Sequence, residues 1–289
     1  MTDGGLQTLL DTSVPLGLGG IVDATGLLPD GAMDRLIEAL RAYLAQATAL
    51  GAGPPVVVAT EPLRRAANAA RVLERVARDT GMPIHVLGHE EEGLLTLLGA
   101  ARGLRPHAAM VVVDVGGGST EVVTIADGRP TVTGLALGAA RLSAQHVEHD
   151  PPEAAELEAL HEDARVHAGP ASGTPGSTDL VVVGGTASNL AKVHDGSRTD
   201  GLLTRERLRD IEAMLLATPS AEVSARFGIT PQRARVLPAG RAIVEAILDC
   251  YGVDVARATD EGLREGVVIA TSRAGVAWRD ALPRLVGGS

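Results

Sequence analysis

Residues 111–125, Val-Val-Val-Asp-Val-Gly-Gly-Gly-Ser-Thr-Glu-Val-Val-Thr-Ile, constrain the fold more than any other stretch of this 289-residue chain. Two β-branched runs on either side of a glycine turn predict a hairpin. Gly116, Gly117 and Gly118 in succession are a costly choice for a mere turn, because each glycine loses much backbone entropy on folding. In return, successive backbone N–H groups can approach an anion closely and form a nest that cradles phosphate. Ser119 and Thr120 add hydroxyl donors. Asp114 at the strand end and Glu121 past the turn are oxygen ligands suited to a hard cation such as Mg2+. A plain glycine hairpin stays open as the alternative.

Elsewhere the pattern is strand alternating with helix, which implies an α/β layer structure. Met33, Leu36, Ile37, Leu40 and Leu44 recur at helical spacing behind Asp30, which reads as an N-cap. Strands are expected at 56–60 and 84–88, with one helix over 61–81 and another over 90–104. A third strand is expected over 131–137, a polar helix over 151–169 and a flexible surface loop over 169–178. Strand, glycine turn and helix follow over 179–193. Helices are expected at 203–217 and 236–252, a short strand at 255–259 and a closing helix from 260. Two domains are predicted, residues 1–106 and 107–262, dividing at 105–107, with the C-terminal stretch 263–289 able to return to the first. No internal repeat is visible.

Composition narrows the function. The formal charge of −10 argues against a general nucleic-acid or membrane-surface binder. No stretch approaches 18 uninterrupted apolar residues, so no membrane span is expected. The first ten residues, MTDGGLQTLL, lack a basic region followed by an apolar run, which predicts no signal peptide. Cys250 is alone, which excludes an intramolecular disulfide and fits a cytoplasmic protein. The eight histidines show no metal-ligand spacing.

The segment Asp114-Val-Gly-Gly-Gly-Ser-Thr-Glu121 resembles the second phosphate motif of the Ppx/GppA family of exopolyphosphatases and guanosine pentaphosphate phosphohydrolases. Further landmarks agree in order. They are Thr60, Leu63, Arg64 and Asn68; the run Glu90, Glu91, Glu92 with Leu95, Thr96, Leu98 and Gly99; Leu137-Gly138-Ala139 with Arg141-Leu142; Gly184-Gly185-Thr186-Ala187; Leu237-Pro238-Ala239-Gly240; and Gly262-Leu263-Arg264-Glu265-Gly266. The resemblance runs from Leu16 to about Ala270. It implies two ribonuclease-H-like domains of the actin, sugar kinase and heat-shock ATPase superfamily. A cleft would lie between them, with phosphate loops facing each other and Mg2+ assisting hydrolysis of a terminal phosphoanhydride. It also implies that Glu92 is the base that activates water, although acids at a helix start also serve stability alone. Gly93-Leu94 departs from the family's Ala-Arg, and His89 stands where a small residue is common.

Arg64 is expected to clamp phosphate, since a guanidinium engages two oxygens at once, and Arg65 to be a solvated helix arginine. Arg141 and Arg264 match family positions, as phosphate contacts or as ion-pair residues. Gly184, Gly185 and Thr186 either contact phosphate or a nucleotide, or turn a strand into a helix. The expected substrate is inorganic polyphosphate. Guanosine pentaphosphate and a non-catalytic binder of either molecule stay open, as does a homodimer. Family members begin with a strand and an Asp-x-Gly-Ser-Asn loop. Here residues 6–15 read as the strand after that loop, so half of the phosphate cradle is expected to be missing.

Overall fold

A computed structural model describes residues 6–102, 109–126, 128–171, 179–195 and 201–287. The chain forms two compact units, Met1–Gly88 and His89–Ser289. In the first, α1 (Leu18–Thr25) and α2 (Asp30–Ala49) precede β1 (Val57–Ala59), α3 (Glu61–Arg65), α4 (Ala69–Thr80) and β2 (Ile84–Val86). β1 and β2 pair in parallel, Val57 opposite Ile84. Val22, Leu28, Met33, Ile37, Leu63, Val72 and Val76 close the core.

The second unit opens with α5 (His89–Ala100), then β3 (Met110–Val115), β4 (Thr120–Ala126), β5 (Arg129–Leu135), α6 (Ala139–His146) and α7 (Ala154–Ala168). β6 (Asp179–Val183), α8 (Gly184–Asp195), β7 (Leu202–Thr204), α9 (Arg205–Ala217), α10 (Ser220–Phe227) and α11 (Pro231–Arg235) follow. The unit ends with α12 (Leu237–Tyr251), β8 (Val255–Thr259), α13 (Leu263–Ala274) and α14 (Trp278–Val286). Among the described residues six strands form one sheet in the order β5-β4-β3-β6-β8-β7. β3, β6 and β8 run parallel, so their carboxyl ends lie along one edge. That edge is where open α/β sheets hold ligands.

Alternation along β3 sorts its side chains. Val111, Val113 and Val115 join Leu160, Leu190, Ile243 and Ile247 in the larger core. The intervening register puts Asp114 on the other face, where α5 lies: Gly93 of α5 sits so tightly on Val123 and Val132 that a Cβ there would come within 2.6 Å of Val132. α13 lies against α5 with no room to spare. A Cβ on Gly266 would collide with the Leu95 carbonyl, and one on Gly99 with the Gly262 carbonyl.

Several expectations need correction. The helix expected over 61–81 is two, because Asn68 turns its amide onto the backbone of Leu28: Leu28 N–H donates to Oδ1 at 2.9 Å, and Nδ2 donates to Leu28 O at 2.7 Å. Asp30 is the first residue of α2 rather than its cap, and its carboxylate pairs with Arg71 at 2.7 Å. Residues 6–15 form no strand; Leu9, Leu10 and Val14 are exposed, and no described strand pairs with them. Leu203 and Thr204 belong to β7, and Thr204 then caps α9 by accepting from Arg207 N–H at 3.2 Å. α6, α10 and α11 were not anticipated. The C-terminal stretch is two helices, since Gly275 takes φ 57° and ψ −134°, a backbone that side chains resist. The expected division at 105–107 and most of the loop at 169–178 lie outside the described residues. The compact units divide instead at Gly88, because α5 packs on β4, β5 and α13.

Candidate functional site

The hairpin register sets the first pair of residues. Asp114 on β3 stands directly opposite Glu121 on β4, bringing two carboxyl groups together on one face of the sheet. α5 covers that face and adds Glu92, His89 and Thr96. Glu121 is 1% exposed and Glu92 is 6% exposed, while Asp114 is half-buried. His89 Nδ1 lies 2.8 Å from Glu121 Oε1, and the Thr96 hydroxyl reaches Asp114 Oδ2 at 3.4 Å. One ligand atom from each of His89, Glu92 and Glu121 falls within 4.8 Å of the other two.

A carboxyl held beside two others on a covered face ionises less readily. Burial, then the charges of Glu121 and Glu92, push the Asp114 carboxyl up to about 7; the Thr96 hydroxyl works in the opposite direction. A dication would remove the repulsion, and the oxygen-rich donor set suits Mg2+. The residues present therefore fit the cation that the sequence motif implied.

The glycine loop between the strands is held from one side. Gly116 N–H donates to Ser119 O, and the carbonyls of Gly116 and Gly117 accept from Ala139, Ala140 and Arg141 at the start of α6. Gly138 permits that contact, because a Cβ there would collide with the Gly117 and Gly118 backbone. Among the described residues the amides of Gly117, Gly118 and Ser119 carry no hydrogen bond, so the amide nest expected from Gly116 begins at Gly117 and runs on to Ser119. Thr120 is wholly buried and its hydroxyl donates to Leu137 O at 2.5 Å, which fixes the loop rather than facing a ligand.

The second glycine turn stands beside the first because β6 is parallel to β3, Val183 beside Asp114. Gly184 has φ 84°, and a Cβ on it would sit 2.9 Å from Asp114 Oδ1. The Thr186 hydroxyl donates to Val115 O at 2.9 Å, tying α8 to the end of β3. Gly185 lies under the guanidinium of Arg233, which is exposed and has no ion-pair partner among the described residues. Sequence reasoning passed over Arg233, since α11 itself was not anticipated.

Arg264 is exposed in the first turn of α13, after the end of β8. Arg141 is half-buried, its Nη1 3.5 Å from Ala136 O. Arg64 belongs to the first unit, where its guanidinium donates to Leu87 O at 2.7 Å. Arg65 pairs with Asp23 at 2.6 Å and with Glu61, so it is bound at the surface rather than freely solvated. A second grouping, His161, Glu212 and Glu245, surrounds the Arg241 guanidinium, which pairs with both glutamates. The positive charge there is the arginine itself. No helix among the described residues is long and apolar enough to cross a membrane.

The family whose pattern matches the chain, over residues 1–273, is described as the Ppx/GppA phosphatase family. Exopolyphosphatase 1 of Mycobacterium tuberculosis is 28% identical over 270 residues, which span 89% of this chain and 78% of that protein. Exopolyphosphatase 1 of Mycobacterium leprae is 29% identical over 259 residues, 86% and 76% of the two. Among solved structures, a Ppx/GppA family member from Aquifex aeolicus is 30% identical with a TM-score of 0.79, covering 94% of this chain and 92% of that one. An exopolyphosphatase from Cytophaga hutchinsonii shares the fold at a TM-score of 0.78 with 20% identity, covering 91% and 88%.

Proposed function

We propose that this chain, which belongs to the Ppx/GppA phosphatase family, removes the terminal phosphate of inorganic polyphosphate by attack of water, with Mg2+ as cofactor. The observation that carries this reading is the convergence of Glu92, Asp114 and Glu121 beside the unengaged amides of Gly117, Gly118 and Ser119. The name of the mycobacterial relatives, exopolyphosphatase, supports the choice of substrate.

Each group then has a task. The amides at 117–119 hold oxygens of the terminal phosphate, where fixed N–H dipoles stabilise the charge that builds as the phosphoanhydride breaks. Arg233 over the Gly184-Gly185 turn, with Arg141 and Arg264, supplies positive charge to a polyanion that this acidic protein would otherwise repel. Asp114 and Glu121 would hold Mg2+, which would supply positive charge to the phosphate oxygens. Glu92 accepts the proton of the attacking water, and its burial at the first turn of α5 keeps it fixed in position. The Thr120 and Thr186 hydroxyls hold the two glycine turns in register.

Replacing Glu92 with Gln tests the assignment, because it keeps the shape and removes the base. Turnover should fall by roughly 10²-fold or more while polyphosphate affinity persists. A variant that hydrolyses at the parental rate would move the base elsewhere.

A further inference from the structure

The hydrolytic reading leaves His89 without a task. Its ring is seated with care: a Cβ on Gly134 of β5 would stand 2.7 Å from the His89 ring atoms Cγ and Nδ1. A larger residue at 134 would therefore push the imidazole off Glu121, and the absent side chain leaves Nδ1 2.8 Å from Glu121 Oε1. A hydrogen bond alone could explain that one distance. It does not explain why Glu92 offers a third donor within 4.8 Å of a ligand atom of each, beside Asp114 on the same face. A dication with bonds of about 2.1 Å sets neighbouring ligand atoms about 3 Å apart, close to the spacing of Nδ1 and Oε1. Both donors are also held on rigid elements, α5 and β4, braced by Gly93 against Val123 and Val132.

The geometry points to His89 as a nitrogen ligand to the dication held by Asp114 and Glu121, giving the site a preference for Mn2+ over Mg2+. This rests on the reading of the carboxylate cluster as the cation site. The chemistry follows from donor type. Mg2+ takes oxygen donors and keeps its water, whereas an imidazole favours a first-row transition ion, and of these Mn2+ is the one that, like Mg2+, suits an octahedral set of carboxylate and water oxygens.

The test uses the tag-free, metal-stripped 289-residue chain, titrated with Mn2+ and followed by electron paramagnetic resonance, with Mg2+ as competitor. Bound Mn2+ should show nitrogen modulation in pulsed spectra. His89→Ala should remove the modulation and lower the Mn2+ to Mg2+ affinity ratio by roughly tenfold or more, the scale at which losing a partner to a metal site registers. Bound Mn2+ without nitrogen modulation, together with an unchanged ratio in the variant, would overturn the role of His89 and leave the carboxylate site standing. Modulation that survives in His89→Ala would assign it to another histidine and overturn the inference equally. Absence of any Mn2+ or Mg2+ binding to the parent would overturn the cation site as well. Circular dichroism in chelator checks the fold of the variant, and if it does not fold, the parent's pulsed spectrum decides alone.

Discussion

Glu121 and Glu92 are buried beside Asp114, and their charges disfavour the ionised form of its carboxyl. Natural cores avoid such an arrangement unless a cation or a reaction makes use of it. Asp114→Asn keeps the shape and removes one charge. The metal-free variant should therefore unfold at a higher temperature than the parent, yet lose the stabilisation that Mg2+ gives the parent. Thermal unfolding with and without Mg2+ reads both effects, and an unchanged Mg2+ shift would take Asp114 out of the site. A second residue prediction concerns the polyanion. Arg233→Ala should weaken polyphosphate binding several-fold and flatten its salt dependence, whereas Arg165→Ala, whose guanidinium already pairs with Glu162 at 2.9 Å, should not. Equal losses in a binding titration would mean diffuse attraction rather than a defined contact. Residue types and spacing made the acids legible: a four-residue loop between two strands puts 114 opposite 121. The His89–Glu121 contact was hidden because it joins a helix to a strand 32 residues away, and it depends on the missing side chain of Gly134.

At the scale of elements, backbone contact matters more than apolar area in two places. α5 and α13 touch through Gly99 and Gly266, and a single methyl at either position must displace a neighbouring backbone. Gly266→Ala should lower stability by about 1–3 kcal/mol or more in urea unfolding, and with it activity, since α5 carries Glu92. A neutral result would show that the helices can separate freely. The start of α7 rests on Glu156, whose carboxylate accepts the amides of Glu148 at 2.7 Å, His149 at 3.1 Å and Glu153 at 2.8 Å. Burial works against ionisation here, but those backbone bonds and His149 prevail and hold the carboxyl down at about 2, against an ordinary value of 4.5. A depressed carboxyl stabilises the fold above its ordinary pKa and loses that contribution as pH falls toward its folded value. Glu156→Gln should therefore be less stable by about 1–2 kcal/mol at neutral pH, with the gap to the parent closing between pH 4.5 and about 2. A gap that is constant over that range would contradict the charge-based account. Strands and glycine turns were legible in sequence because β-branched runs and glycines act locally. The break at Asn68 was not, since it is caused by the backbone of Leu28, 40 residues earlier. β7 was missed because three residues of strand ran straight into the helical period of α9.

For the whole molecule, the α/β architecture expected from the strand–helix alternation is the one shared with the Aquifex aeolicus family member. The ordering of glycine turns along the chain became an ordering in space because β3, β6 and β8 are parallel neighbours, so that residues 116–119, 184–186 and 262–264 all follow strand ends on one edge. Sequence could anticipate the turns but not the division at Gly88, which depends on where α5 packs. The central claim is that this edge hydrolyses phosphoanhydrides. Its most direct test is release of inorganic phosphate by the purified chain from polyphosphate and, separately, from guanosine pentaphosphate, with Mg2+, with Mn2+ and with chelator. The account predicts sustained release from polyphosphate that stops in chelator and returns on adding back either dication. Polyphosphate that binds but yields no phosphate under any of these conditions would contradict it.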